Sequence, residues 1–267
     1  MPEPSSLTSV AFAGLCLSIA IGLLTWLASL ARHDVSLVDR VWSLSIVGAG
    51  LVYFFLLPAR DARGTAMALL GAAWALRLSI FITARNWGHG EERRYQDIRK
   101  RNEPNFAIKS IYLVFALQAL LAWIVSAPFL AGMSAGTPLG VFDYVAMAIV
   151  IFGIVFEAIA DAQMSAFRSE PSSKGQIMDR GLWRYTRHPN YFGEACTWWG
   201  LWLMAMSGAG LGGAWSVVSP LLMTVLLLKV SGVSLTEKDI GDRRPGYREY
   251  IERTNAFIPG PARKASP

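Results

Sequence analysis

Three ionisable side chains share one face of a predicted helix in the second half of the chain. Glu157, Asp161 and Arg168 stand at positions i, i+4 and i+11, which point the same way on a helix with 3.6 residues per turn. A carboxylate pair suits ribose hydroxyls or amide groups, and a guanidinium suits phosphate. The spacing favours a site for a phosphate-bearing ligand. An acidic pair neutralised by a neighbouring helix would give the same pattern.

The segment 174–194 (KGQIMDRGLWRYTRHPNYFGE) is dense in Arg, His, Asn and Tyr, and it runs directly into an apolar stretch. Pro189 suits the first turn of a helix. Asn190 and the Arg side chains place donors beside the backbone N–H groups of a helix N-terminus, where a phosphate-bearing cofactor binds well. The interleaved aromatic residues favour such a site over the alternative, a solvated basic loop that binds anionic lipid.

Four further ionisable residues lie within or beside apolar stretches, where a charge is costly. Arg77 lies about two-thirds of the way along one stretch, while Asp39, Glu194 and Lys229 lie toward the ends of three others. Snorkelling to a membrane surface is the alternative for each of them. As a set they indicate a polar site, because Asp39, Glu194 and Lys229 converge with the acidic pair on one predicted side of a membrane.

Seven apolar stretches must position these side chains. The chain has 267 residues, of which 53% are hydrophobic and 16% charged, and about 20 apolar residues cross a bilayer core of about 30 Å. The predicted spans are 7–31, 41–57, 65–84, 107–131, 145–160, 192–207 and 214–235. Two of them are short enough that six spans is the alternative count. A signal peptide is disfavoured for the first stretch, because no Lys or Arg precedes it.

The net charge of +6 indicates either a nucleic-acid-binding face or basic loops beside a membrane. When the connections between spans are assigned alternately to two sides, one side has 20 Lys and Arg residues and the other has 2. This asymmetry predicts an all-α polytopic membrane protein with the N-terminus outside and the C-terminus cytoplasmic. It argues against nucleic acid as a partner. The two Cys and three His residues show no metal-ligand spacing, and a transporter is disfavoured because no internal repeat is evident.

The stretch GLWRYTRHPNYFGE (181–194), followed by WWG (198–200), resembles the membrane-embedded steroid 5-alpha-reductase superfamily. It is most similar to the bacterial branch described only as a domain of unknown function. The resemblance extends to FEAIADAQ (156–163), Phe167-Arg168, LLLKVSGVSLTEK (226–238) and FIP (257–259), and it covers most of the chain from about Trp74 onward. The RHPNY core is shared with sterol reductases, and a looser form occurs in isoprenylcysteine and phospholipid methyltransferases.

The resemblance implies a single integral-membrane reductase domain, 1–267, that binds NADPH from the cytosolic side and reduces a carbon–carbon double bond conjugated to a ketone. Residues 1–64 would form the substrate side and residues 65–267 the cofactor side. The residues expected to hold NADPH are Arg77, Glu157, Asp161, Arg168, Tyr185, Arg187, His188, Asn190 and Lys229.

The substrate side departs from the resemblance. In the animal steroid reductases, a Glu on the second helix and a Tyr on the third polarise the ketone oxygen. The nearest acid here is Asp39, and the third-helix position is similar to Trp74. We predict Asp39 and Tyr95 as the catalytic residues, because a carboxyl group buried in an apolar cavity can stay protonated and donate a hydrogen bond to the carbonyl.

The expected substrate is a steroid or another lipophilic enone that enters from the bilayer, and the expected location is a bacterial inner membrane. We expect a monomer whose other partners are membrane lipids. One alternative is a lipid or isoprenylcysteine-type methyltransferase that uses S-adenosylmethionine; another is a non-enzymatic membrane protein that binds lipid. NADPH carries three phosphates and S-adenosylmethionine carries none, so Arg77 and Arg168 favour the reductase.

Overall fold

A computed structural model describes residues 6–58, 60–230, 232–233, 237, 240, 244 and 246–263. Within these ranges all regular secondary structure is helical, which confirms the all-α expectation. Six helical stretches are long and apolar enough to cross a membrane: Leu7–Arg32, Leu37–Leu56, Ala62–Arg85, Phe106–Met133, Val141–Ser169 and Pro189–Val230.

The α-helices, in chain order, are α1 (Leu7–Arg32), α2 (Leu37–Leu56), α3 (Ala62–Arg85), α4 (Arg93–Asn102), α5 (Phe106–Ser110), α6 (Leu117–Val125), α7 (Ala127–Met133), α8 (Val141–Ser169), α9 (Pro189–Ala209), α10 (Val218–Val225) and α11 (Tyr247–Arg253). Two π-helical segments, Ile111–Ala116 and Leu226–Val230, continue α5 and α10. Short 3-10 helices cover Pro171–Ser173, Gly181–Arg184 and Gly210–Val217.

The sixth predicted span and residues 214–230 of the seventh fall in one helical stretch, Pro189–Val230. Residues 231, 234 and 235 of the seventh predicted span lie outside the described residues. Trp199 Nε1 nevertheless donates a hydrogen bond to Thr224 Oγ1 at 3.2 Å. Twenty-five residues of straight α-helix would separate these two residues by about 37 Å. The chain therefore reverses between them, in the region of the 3-10 helix Gly210–Val217.

The chain divides into two compact units, Met1–Asp143 with Trp202–Ser219, and Tyr144–Leu201 with Pro220–Pro267. In the first unit, α1 packs on α2 and α2 packs on α3. The amphipathic helix α4 lies beside a cluster of buried apolar side chains: Val35, Val38, Tyr95, Phe106, Val114 and Phe115. Tyr95 of α4 belongs to this cluster, and Ile98 of the same helix packs against it.

The first unit also contains a buried ion pair that the sequence did not reveal. Arg63 donates from Nε and Nη2 to the two carboxylate oxygens of Asp143, at 2.7 and 2.9 Å. Its remaining donors bind Thr137 O and Oγ1 and Pro138 O, so every N–H group of the guanidinium has an acceptor. Arg63, predicted to lie in a loop, is a member of α3 and joins the start of this helix to the segment before α8.

In the second unit, α8 and α9 approach each other closely through glycines. A Cβ atom added to Gly153 would lie 2.6 Å from the carbonyl oxygen of Gly193, and one added to Gly193 would lie 2.7 Å from the carbonyl oxygen of Gly153. Only residues without a side chain permit such contact between membrane helices. Gly200 likewise faces Val150, so the two helices run antiparallel with a defined register.

Candidate functional site

The acidic pair on α8 lies on the side of the helix that contacts α9. Glu157 is 2% exposed and Asp161 is 5% exposed, and the backbone of Glu157 faces Gly193. In the antiparallel register, one further turn along α8 brings Asp161 to the level of Pro189 and Asn190. The predicted acidic face and the predicted helix start therefore lie at the same level of the second unit.

Asn190 supplies a polar atom without a protein partner at this level. Its Oδ1 is buried and forms no hydrogen bond with any described residue. A buried polar atom of this kind is normally satisfied by a ligand or by water, because leaving it unsatisfied costs about 1–3 kcal/mol. The amide of Asn190 can thus bind a polar group of a ligand.

The segment before α9 is held against α8 by the backbone and by two side chains. Gly181 has a positive φ of 56°, and the Gln163 side chain lies beside it and accepts a hydrogen bond from Leu182 N at 2.9 Å. Trp183 Nε1 donates to Ala160 O at 3.1 Å. Both contacts come from the turn of α8 that carries Asp161, so they position the segment beside the buried acids.

Arg187 and His188 contact a side chain of the C-terminal segment. Arg187 donates from Nε and Nη2 to Glu237 Oε1 and Oε2, at 2.8 and 3.0 Å, and its Nη1 donates to the carbonyl oxygens of Ile251 and Thr254. His188 Nε2 lies 2.9 Å from Glu237 Oε1. The three side chains form a network that we call the Glu237 latch. It joins the residues immediately before α9 to the segment around α11.

Arg187 and His188 of the latch are buried, and Glu237 is half-buried. Burial alone would raise the pKa of Glu237, but hydrogen bonds from His188 and Arg187 outweigh it and hold that pKa at about 2. Tyr247 donates to the same carboxylate at 3.4 Å, and burial together with the charge of Glu237 raises the pKa of Tyr247. All three nitrogens of the Arg187 guanidinium therefore donate to acceptors within the protein, and its geometry is that of a positioning residue.

Several other cations of the second unit are exposed to solvent. Arg168, in the last turn of α8, and Lys229, in the π-helical segment Leu226–Val230, are both exposed. Arg180 lies over the ring of Phe167 with its Cζ 5.7 Å from the ring centroid. Tyr185 is also exposed, and its carbonyl oxygen accepts from Gly260 N at 3.0 Å. Arg168 and Arg180 are thus two of the exposed guanidiniums of this unit, which also include Arg184.

The two predicted catalytic residues contact each other in the first unit. Asp39, in the first turn of α2, accepts a hydrogen bond from the Tyr95 hydroxyl at 2.7 Å through Oδ1 and one from Arg94 Nη2 at 2.6 Å through Oδ2. Both oxygens are acceptors, as in an ionised carboxylate. Burial, and next the charge of Asp39, raise the pKa of Tyr95 well above its ordinary value. Tyr95 is thus a protonated donor held by Asp39 at physiological pH.

The predicted residues are distributed between the two units. The second unit brings Glu157, Asp161 and Asn190 to one level, and it places Arg187 and His188 in the latch. The first unit contains Asp39, Tyr95 and Arg77, which lies half-buried in α3.

Sequence reasoning did not predict the contacts of Glu237 with Arg187 and His188. The signal for Glu237 was its place in the stretch 226–238, which carries the family resemblance. No local spacing links it to Arg187, which lies 50 residues away in the chain.

Comparison with known proteins gives a fungal relative and a family to which the chain is similar. An "Uncharacterized protein C594.04c" of Schizosaccharomyces pombe is 25% identical over 275 residues, which cover 92% of this chain and 78% of that protein. No solved structure matches the chain. The family described as "Protein of unknown function (DUF1295)" matches residues 25–254. The chain therefore belongs to the DUF1295 family.

Proposed function

We propose that this protein is an NADPH-dependent oxidoreductase that reduces a carbon–carbon double bond conjugated to a ketone in a steroid-like or other lipid enone. The observation that carries the proposal is the unsatisfied, buried Oδ1 of Asn190 at the level of the buried acids Glu157 and Asp161. An amide and two carboxylates offer hydrogen-bond partners to the hydroxyl and carboxamide groups of a nicotinamide nucleotide.

The residues of the second unit fit this cofactor. Glu157 and Asp161 would accept hydrogen bonds from ribose hydroxyls, Asn190 would bind an amide or hydroxyl group, and Arg168 would bind phosphate. NADPH supplies the hydride that saturates the double bond. In place of the nucleotide contact predicted from sequence, we assign a positioning role to Arg187 and His188, because Glu237 already binds both. Tyr185 and Lys229, both exposed, stay predictions for the nucleotide site.

Asp39 and Tyr95 remain our prediction for the groups that polarise the ketone. When the double bond is reduced at the β carbon, negative charge develops on the carbonyl oxygen, and a donor aimed at that oxygen accelerates the reaction. We propose Tyr95 as this donor and Asp39 as the carboxylate that orients it: the single O–H of Tyr95, which Asp39 Oδ1 accepts in the absence of substrate, would turn to the ketone oxygen when substrate binds. Arg77 in α3 stays a prediction for phosphate.

We extend the proposal to the membrane arrangement. Seven spans are supported by the Trp199–Thr224 hydrogen bond, which requires a reversal within Pro189–Val230. An N-terminus outside and a cytoplasmic cofactor site are supported by the 20 to 2 asymmetry of Lys and Arg between the connections. The proposed location is a bacterial inner membrane, where a monomer would take its substrate from the bilayer.

A methyltransferase that uses S-adenosylmethionine is the second candidate. Glu194, on the same helix as Asn190, is 7% exposed, so three carboxyl groups are buried in α8 and α9. Several buried acids suit a ligand with positive charge, and S-adenosylmethionine carries a sulfonium and an ammonium group. The phosphate-binding capacity of Arg168 favours NADPH instead.

The experiment is identification of the nucleotide that binds the detergent-purified protein. We expect NADPH binding, seen as quenching of Trp fluorescence and as a nicotinamide absorbance band. Asn190→Leu should weaken it by about tenfold, because one buried hydrogen bond to a ligand contributes about 1.5 kcal/mol. Thr197→Val, two turns further along the same face of α9, is the matched control and should bind normally. Binding of S-adenosylmethionine without NADPH would reject the reductase.

A further inference from the structure

A groove in the first unit combines apolar walls with an arginine that has few partners. It has a volume of about 420 Å³ and is lined by residues from the last turns of α1, the first turns of α2 and the last turns of α3. These residues are Leu24, Thr25, Ala28, Leu37, Arg40, Val41, Ser79 and Thr83. Because Leu24 and Ala28 are exposed, the groove opens on the outer surface of the helices.

The half-buried Arg40 differs from the buried Arg63 of the same unit in its hydrogen bonds. Its side chain is 17% exposed, yet its Nε is buried without any hydrogen-bond partner among the described residues. Its only ionic contact there is a long one, 3.4 Å from Nη2 to Asp34 Oδ2, and the other oxygen of Asp34 already accepts from Ser36 N and Oγ. All N–H groups of Arg63, by contrast, have acceptors.

The donors of the groove match an anion with several oxygen atoms. A half-buried guanidinium presents a planar fork that binds two phosphate oxygens. The Thr83 hydroxyl also lines the groove and can donate to a third. The hydroxyls of Thr25 and Ser79 already donate to the carbonyl oxygens of Ile21 and Arg40. The apolar side chains of the groove complement an alkyl chain.

We propose that this groove binds a phosphate group, and that the phosphate is carried by an anionic phospholipid whose acyl chain follows Leu24, Ala28 and Val41. Basic pockets between membrane helices are suited to such head groups. A bound phosphate would supply the acceptors that Arg40 lacks. It would also join α1, α2 and α3 near the helix ends, in the same part of the chain as Asp39.

The experiment is native mass spectrometry of the detergent-purified protein, titrated with three probes. Phosphatidylglycerol carries both the phosphate and the acyl chains, diacylglycerol carries only the chains, and inorganic phosphate carries only the anion. We expect Arg40→Gln to bind phosphatidylglycerol about tenfold more weakly than the wild type, because charge-assisted hydrogen bonds to the phosphate are lost. Arg32→Gln is the matched control: Arg32 is exposed in the last turn of α1 and does not line the groove.

If anionic lipid were only attracted to basic residues in general, Arg40→Gln and Arg32→Gln would weaken phosphatidylglycerol binding equally, by up to about fivefold each. That result would overturn the proposal. Diacylglycerol binding as tightly as phosphatidylglycerol would also overturn it. If inorganic phosphate binds in an Arg40-dependent manner and displaces the lipid, the phosphate site is supported and free phosphate is its source. Ala28→Phe fills the groove from its exposed side, and we expect it to abolish lipid binding even if Arg40→Gln fails to fold.

Discussion

The Glu237 latch should contribute strongly to stability, and Glu237→Gln tests this contribution. The substitution keeps the shape of the side chain but removes the negative charge that faces Arg187 and His188. Breaking a buried ion pair from one side costs about 3–5 kcal/mol, because the remaining charge stays buried without compensation. The difference between an ordinary Glu pKa of 4.5 and the value of about 2 in the latch corresponds to about 3 kcal/mol.

We expect Glu237→Gln to lower the midpoint of thermal unfolding by about 6–12 °C, since 1 kcal/mol shifts a chain of this size by about 2–4 °C. The assay is fluorescence-detected size-exclusion chromatography after heating in detergent. Glu252→Gln removes an exposed acid from α11 and serves as the control. In a double-mutant cycle with Arg187→Gln, the two losses should be less than additive, because both variants break the same ion pair. If Glu237→Gln unfolds with the same thermal midpoint as the wild type, the reasoning is refuted.

The pH dependence of the latch has a definite sign. The folded-state pKa of Glu237 is below the unfolded-state value, so its stabilisation is complete above about pH 4.5 and disappears as the pH falls toward about 2. The wild type should lose stability over this window, and Glu237→Gln should lack that component of the loss. The same variant should also bind NADPH more weakly, if the latch positions the start of α9. Identical acid unfolding of the two proteins would contradict the assignment.

Three further perturbations test other parts of the structure. Tyr95→Phe should lower turnover of an enone by about 10²–10⁴-fold while NADPH still binds. Asp39→Asn should also lower turnover. If both variants turn over the enone at the wild-type rate, these residues are rejected as catalytic. Gly193→Ala should destabilise the protein by about 1–3 kcal/mol in thermal unfolding, because its Cβ would lie 2.7 Å from the backbone of α8. The control, Gly212→Ala, should leave stability unchanged, because a Cβ atom at Gly212 meets open space. Arg63→Gln should cost about 3–5 kcal/mol by leaving Asp143 buried without its partner; a small change would show that the pair is dispensable.

Periodicity and composition were sufficient to predict the helical class and the membrane character. Apolar stretches of about 20 residues have few alternatives to helices, because backbone groups in an apolar environment must bond internally. The i, i+4 spacing of Glu157 and Asp161 correctly placed both acids on one face of α8. Pro189 was correctly expected at the start of α9. These signals are local, since each depends on residues within a few turns of one another.

The partners of the charged side chains depend on tertiary structure instead. Arg187 was expected to bind the nucleotide, but it contacts Glu237, 50 residues later in the chain. Arg63 was expected in a loop, but it is buried on Asp143, 80 residues away. A guanidinium binds a protein carboxylate and a phosphate equally well by type, so the sequence alone determined which residues could bind an anion. The folded chain decided that the guanidiniums of Arg187 and Arg63 bind protein carboxylates.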